Sequence, residues 1–264
     1  MMIWSAIGCQ LRHPTGAFGW TVGHFMRFLN ARSNALAIAA LALQGDEDIL
    51  ELGCGPGHAI RLMAAQAPRS VIHAIDQSAT MLAQSRSRNW EAIQSGCVHL
   101  YQGRFEELPL RSHSIDKILA VNVAYFWRDS QRVLREARRV LRPGGTFSVY
   151  VTDASTMRRW KFADAKTHRL FDPDGLVGML QHGGFDHDQV TVTNIEVLPG
   201  IAGLIATVGN RCGGIPPLAP SNVTAALDSG PKWPRLPRLR SSCGSLPTQV
   251  RIPCFDASDA ISLA

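Results

Sequence analysis

Apolar and polar positions along this chain follow two periods, and the switches between them mark out its elements. Short apolar or alternating runs fall at Asp48–Gly53, Val71–Asp76, Val98–Tyr101, Ser114–Val121 and Thr146–Thr152. Each has the length and the aliphatic, β-branched content of a strand. Between them the apolar spacing becomes helical. Helices are predicted over His58–Ala67, over Ala79–Arg86 behind an N-capping Ser78, and from about Ser130 to Leu141. Pro143-Gly144-Gly145 then cannot continue a helix. Alternating strand and helix implies a mainly parallel sheet with helices on both faces.

The ends of the chain read differently. Trp20, Phe25, Phe28 and Leu29 have helical spacing, and Asn34–Leu43 reads as a core-packing helix. Residues 1–44 are therefore expected to form a helical lead-in. After the fifth strand, Asp172–His182 reads as a helix closed by Gly183-Gly184. Gln189–Leu198 and Ile201–Val208 read as two strands joined by Pro199-Gly200. Residues 45–211 would make the main domain. Residues 212–264 carry eight of the fifteen prolines, many serines and short basic fragments such as Pro234-Arg235-Leu236-Pro237-Arg238. That composition predicts a disordered tail.

Composition narrows the class. The chain has 264 residues, 45% of them apolar, enough for one α/β domain with extensions. A net charge of +6 permits an anionic partner without requiring one. No run of eighteen apolar residues occurs, so no membrane span, leader or lipid anchor is expected. Six cysteines without a C-x-x-C pair suggest neither a zinc site nor a disulfide framework. Reduced thiols in a cytoplasmic protein are the expectation.

The chemistry concentrates in one turn. Glu51-Leu52-Gly53-Cys54-Gly55-Pro56-Gly57 follows the first strand, and Asp76 closes the second. Glycines at alternate positions allow a sharp turn and close approach of backbone to ligand. An acid at the tip of the second strand can accept both hydroxyls of a ribose. A dinucleotide fingerprint needs its third glycine five residues after the first, but here Gly57 comes one residue early and His58 takes that place. Glu51 would also repel a pyrophosphate and attract a cation.

The stretch Leu50–Gly57 resembles motif I of the class I S-adenosylmethionine (SAM) dependent methyltransferases. Val140-Leu141-Arg142-Pro143-Gly144-Gly145 is similar to that family's turn before its fifth strand, and Glu107-Leu108-Pro109-Leu110 to an element of its small-molecule and quinone-biosynthesis members. The resemblance implies a Rossmann-like, seven-stranded, mainly parallel sheet with its last strand antiparallel. It implies SAM as cofactor, on Glu51, Gly53, Cys54, Gly55, Gly57, Asp76, Gln77, Met81, Arg104, Phe105 and Asn122. Arg104 departs from the family, which carries an acid there to accept the adenine amino hydrogens; arginine can stack but cannot accept. Adenine recognition would then pass to the backbone near Phe105 or to Glu106.

The segment Asn122-Val123-Ala124-Tyr125-Phe126-Trp127 follows the fourth strand, where ligands bind in open α/β sheets. Tyr125 and Trp127 are expected to line a substrate pocket. Candidate bases are His24, Asp153 and His168, none of them compelling. The expected reaction is in-line transfer of a methyl group to a small molecule. Nucleic acid is not the expected acceptor, although Arg132, Arg135, Arg138, Arg139 and Arg142 could form an RNA-binding stripe. A SAM-binding regulatory protein without catalysis is the alternative from another class. The acceptor and the oligomeric state are not legible in the sequence.

Overall fold

The computed structural model describes residues 30–160, 163 and 168–210. His24, most of the expected lead-in and the expected tail lie outside them. Helix α1 runs through residues 30–39 and ends in a turn where Ala42 takes a left-handed φ of 47°. Then follow β1 (Asp48–Leu52), α2 (His58–Gln66), β2 (Val71–Asp76), α3 (Ala79–Arg88), α4 (Trp90–Gln94), β3 (Val98–Gln102) and β4 (Ile115–Val121). The second half comprises α5 (Ser130–Val140), β5 (Leu141–Thr152), α6 (Ala154–Met157), α7 (Pro173–His182), β6 (Val190–Leu198) and β7 (Ile201–Gly209).

The seven strands form one sheet in the order β3-β2-β1-β4-β5-β7-β6. Strands β1 to β5 pair in parallel. β7 is antiparallel to both β5 and β6, so the last described strand alone runs backwards. The strand order reverses between β1 and β4. In an open α/β sheet that reversal opens a crevice at the carboxyl ends of the strands.

Two cores sit on the two faces because successive strand residues point oppositely. In β4, Ile118 and Ala120 join Leu50, Phe147 and Val149 under α5 and α7. Leu119 and Val121 join Ile49, Ile72 and Tyr150 beneath α1 and α2. Full burial of each such aliphatic side chain contributes about 1.5–3 kcal/mol. Leu36, Ile38 and Leu41 belong to the second core, so α1 is part of the packed body.

Local chemistry sets the helix boundaries. Ser78 Oγ accepts from Met81 N, Asp129 from Arg132 N, and Asp172 from Gly175 N, each capping the helix that follows. α5 buries Val133, Leu134, Ala137 and Val140 on one face. The expected start of β5 at Thr146 is corrected to Leu141, because Leu141 already pairs with Ile115 before the register shifts at the Arg-Pro-Gly-Gly segment. Arg142 then ties three strands at their amino ends. It bonds Asp48 at 2.8 Å and also Asp116, while Asp116 accepts from Asp48 N at 2.9 Å.

Of the two described cysteines, Cys54 is free and buried. Cys97 is disulfide-bonded, which corrects the expectation of reduced thiols throughout. It lies half-exposed in the turn entering β3.

Candidate active site at the switch point

The glycine turn sits where β1 ends, in the crevice between β1 and β4. Gly53, Gly55 and Gly57 all have positive φ, at 73°, 50° and 76°. Their surroundings differ. A Cβ on Gly53 would strike Val123, and one on Gly57 would strike Ser85 and Asn89, so these two glycines permit packing. Gly55, apart from its chain neighbours, has no heavy atom of the described residues within 4 Å of that position. It faces open space, as a residue under a ligand must.

The turn is held from three sides. Gly53 N donates to Ile75 O at 2.8 Å, fixing it to β2. Asn89 Nδ2 donates to Gly57 O at 3.0 Å from the end of α3, and Arg88 Nη1 donates to Pro56 O. Asp76 supplies the third hold: Oδ2 accepts from Gly55 N and Oδ1 from Ser78 N, both at 2.8 Å. The acid thus orders both the glycine turn and the start of α3. Arg88 and Asn89 carry no motif signature, and their bracing role needed the fold to bring α3 back over the turn.

Glu51 lies beneath this cradle at 3% exposure. Its Oε2 has no hydrogen-bond partner among the described residues. Burial first, and the neighbouring charge of Asp76 second, raise its carboxyl well above the usual carboxylate range. A buried, unsatisfied carboxylate beside a second acid is a poor arrangement for an empty fold. It is a good one for a ligand that brings a cation. SAM carries an ammonium and a sulfonium, so the residues present fit that group. Cys54 is buried in the turn, and burial ahead of the two acids pushes its thiol up, as suits a small packing residue.

The remaining expected positions divide. Phe105, Met81 and Ser78 are buried, Gln77 is exposed beside Asp76, and Phe105 packs with Ile75. Arg104 is turned to solvent with 75% of its side chain exposed, and Glu106 lies 3.5 Å from it. Glu106 itself is only 10% exposed. Asn122 closes β4 with a left-handed φ of 53°. Tyr125 is buried and its hydroxyl donates to Asn122 Oδ1 at 2.7 Å. Trp127 is buried with an indole N–H that has no partner among the described residues.

Among the candidate bases, Asp153 caps α6 by accepting from Ser155 N at 2.8 Å. His168 is buried between the rings of Phe126, 4.9 Å away, and Tyr125, 5.9 Å away. The arginine stripe is partly internal. Arg139 binds Glu136 at 2.7 and 2.8 Å and the carbonyls of Leu108 and Leu110, holding the Glu-Leu-Pro-Leu turn against α5. Arg142 is bound to Asp48 and Asp116.

Comparison with known proteins accords with this geometry. A family profile described as "Methyltransferase domain" matches residues 50–149, from β1 into β5. The chain is 31% identical over 127 residues to the methyltransferase YdaC of Bacillus subtilis, covering 48% of this chain and 68% of the relative. It is 31% identical over 159 residues to the malonyl-[acyl-carrier protein] O-methyltransferase of Enterobacter lignolyticus, covering 58% of this chain and 60% of that one. The chain thus spans less than two thirds of this second relative. A SAM-dependent methyltransferase of Thermotoga maritima shares the fold with a TM-score of 0.53 at 22% identity, over 72% of this chain and 96% of that one. Among the described residues no helix is long and apolar enough to cross a membrane. The chain belongs to the class I SAM-dependent methyltransferases.

Proposed function

We propose that this enzyme moves a methyl group from SAM to a small-molecule acceptor at the mouth of the β1–β4 crevice. In this reading Gly53, Cys54, Gly55 and Gly57 line the donor, Glu51 faces its ammonium, and Asp76 with Gln77 takes the ribose. Met81, Phe105 and Glu106 lie at the adenine end, with Arg104 outside it. The observation that carries the reading is Glu51, whose buried Oε2 has no partner among the described residues, beside a glycine turn that those residues leave open.

When bound, SAM supplies an electrophilic methyl carbon on a sulfonium. The task left to the chain is alignment in a water-poor cleft, which can contribute about 7–11 kcal/mol. Tyr125 and Trp127 would form the acceptor's wall, and the indole N–H of Trp127 is a buried donor available to it. Asp153 and His168 are engaged in a helix cap and in ring packing. That favours an acceptor whose nucleophilic atom is already unprotonated at neutral pH, since a base is needed only to remove a proton. A carboxylate meets this condition, and it agrees with the O-methyltransferase named among the relatives.

The commitment of Arg139 and Arg142 to internal partners supports a small acceptor over a nucleic acid. The proposed division of the chain takes residues 45–211 as the SAM-binding domain, with a lead-in before it that contributes α1 to the same packed body and a tail after it. A cytoplasmic setting belongs to the same reading, because the donor is an intracellular metabolite. Calorimetric titration with S-adenosylhomocysteine tests the site: micromolar binding, strongly weakened in Asp76→Ala, is expected. Equal binding in the variant would remove the assignment. Incubating a metabolite extract with methyl-labelled SAM would then identify the acceptor.

A further inference from the structure

The end of β4 is tied to the first helix by a chain of side chains that no motif announces. Asn122 Nδ2 donates to Asn30 Oδ1 at 2.8 Å, across 92 positions of sequence. On its other side, Asn122 Oδ1 accepts from the Tyr125 hydroxyl at 2.7 Å. That hydroxyl in turn accepts from Thr152 N at the end of β5. Asn30, Asn122, Tyr125 and Thr152 therefore join α1, β4 and β5 at the carboxyl edge of the sheet.

The backbone explains why the side chains are needed. Asn122 N still donates to Tyr150 O at 3.0 Å, as the next rung of the parallel ladder. A continued ladder would bring Thr152 N to the carbonyl of Asn122. The left-handed turn of Asn122 breaks that pattern, and the Tyr125 hydroxyl takes the acceptor's place. A positive φ is strained for a residue with a Cβ, and asparagine tolerates it best. The turn also sets Val123 against Gly53, so the first glycine of the cradle rests on the residue that follows Asn122.

We propose that Asn122 and Asn30 are positioning residues that couple the seating of α1 to occupancy of the donor site, resting on the reading of that site given above. The path is continuous: Asn30 holds Asn122, Asn122 places Val123, and Val123 supports Gly53. On its inner side α1 packs with Cys54 in the same core, and Ser148 Oγ donates to Ala37 O at 3.0 Å. Ligand binding that rigidifies the cradle then stabilises α1, and by linkage a loosened α1 weakens binding equally.

The experiment compares S-adenosylhomocysteine titrations of the full chain, Asn30→Ala, Asn30→Asp and Asn122→Gly. Asn122→Gly removes both side-chain bonds while keeping the left-handed backbone available. The loss of one neutral hydrogen bond predicts affinity roughly three- to tenfold weaker for Asn30→Ala. Asn30→Asp keeps an acceptor for Asn122 Nδ2 and should bind like the parent. Adding Asn30→Ala to Asn122→Gly should cost nothing further, because the bond is already gone. Hydrogen exchange gives a second readout: the ligand should protect α1 amides in the parent and not in Asn30→Ala. If the parent binds and Asn30→Ala binds equally well, with α1 protected to the same degree, the coupling is refuted and the donor site stands. If the parent does not bind, the donor reading falls and the coupling with it.

Discussion

Replacing Glu51 by glutamine should move stability and affinity in opposite directions. The side chain is 3% exposed, and its Oε2 has no partner among the described residues. Burial and then Asp76 raise its carboxyl in the folded chain. A group whose folded pKa exceeds its unfolded value contributes stability that is complete below the unfolded pKa and lost as pH rises through the folded one. At neutral pH, above the unfolded pKa, the ligand-free protein has therefore lost part of that stability. Glutamine keeps the shape and removes the ionisable group, so the melting temperature of Glu51→Gln should equal or exceed that of the parent. Binding should weaken, because a hydrogen bond from the donor's ammonium to a carboxylate is worth about 1.5–3 kcal/mol, or roughly 10- to 150-fold in affinity. The same linkage predicts that binding of a cationic group to the parent releases a proton between the carboxyl's pKa in the complex and its raised value in the ligand-free fold. Affinity for S-adenosylhomocysteine should then rise with pH across that window, and calorimetric enthalpies should differ between buffers of different ionisation heat. Glu51→Gln should show neither effect. A variant that binds within twofold of the parent, or that melts well below it, would refute the reasoning.

Gly55→Ala should fold at a cost of about 1–2 kcal/mol from its left-handed φ and lose ligand affinity, since its methyl enters open space. Gly57→Ala should lose more stability than Gly55→Ala, because its methyl meets Ser85 and Asn89; equal melting temperatures for the two would contradict this packing. Arg142→Ala should cost about 1 kcal/mol in urea unfolding, the scale of a partly exposed ion pair, with donor binding unchanged. Phe147→Ala, which empties a fully buried site beneath α5, should cost about 3–5 kcal/mol.

Most of the scaffold was legible because it rests on local signals. Ser78, Asp172 and the Pro199-Gly200 connection announced their boundaries, and the observed elements begin or end within a few residues of them. β5 was misjudged at its start because Arg-Pro-Gly-Gly reads as a break, whereas pairing of Leu141 with Ile115 draws it into the strand. The short helices α4 and α6 were missed because five and four residues are too few to show a period.

By itself, then, the sequence determined the alternation of elements, the glycine turn and the two acids. These depend on spacings of a few residues, which hydrophobic period and backbone sterics fix locally. What only the tertiary structure decided were the relations across the chain: Glu51 Oε2 left without a partner among the described residues beneath the turn, Asp76 bound to Gly55, Tyr125 completing a ladder for Thr152, and Asn30 reaching Asn122. Each depends on which strand ends lie side by side, and a sheet ordered β3-β2-β1-β4-β5 makes neighbours of residues far apart in the chain. Burial and an unmet hydrogen bond are properties of that assembled environment, so no local pattern could carry them.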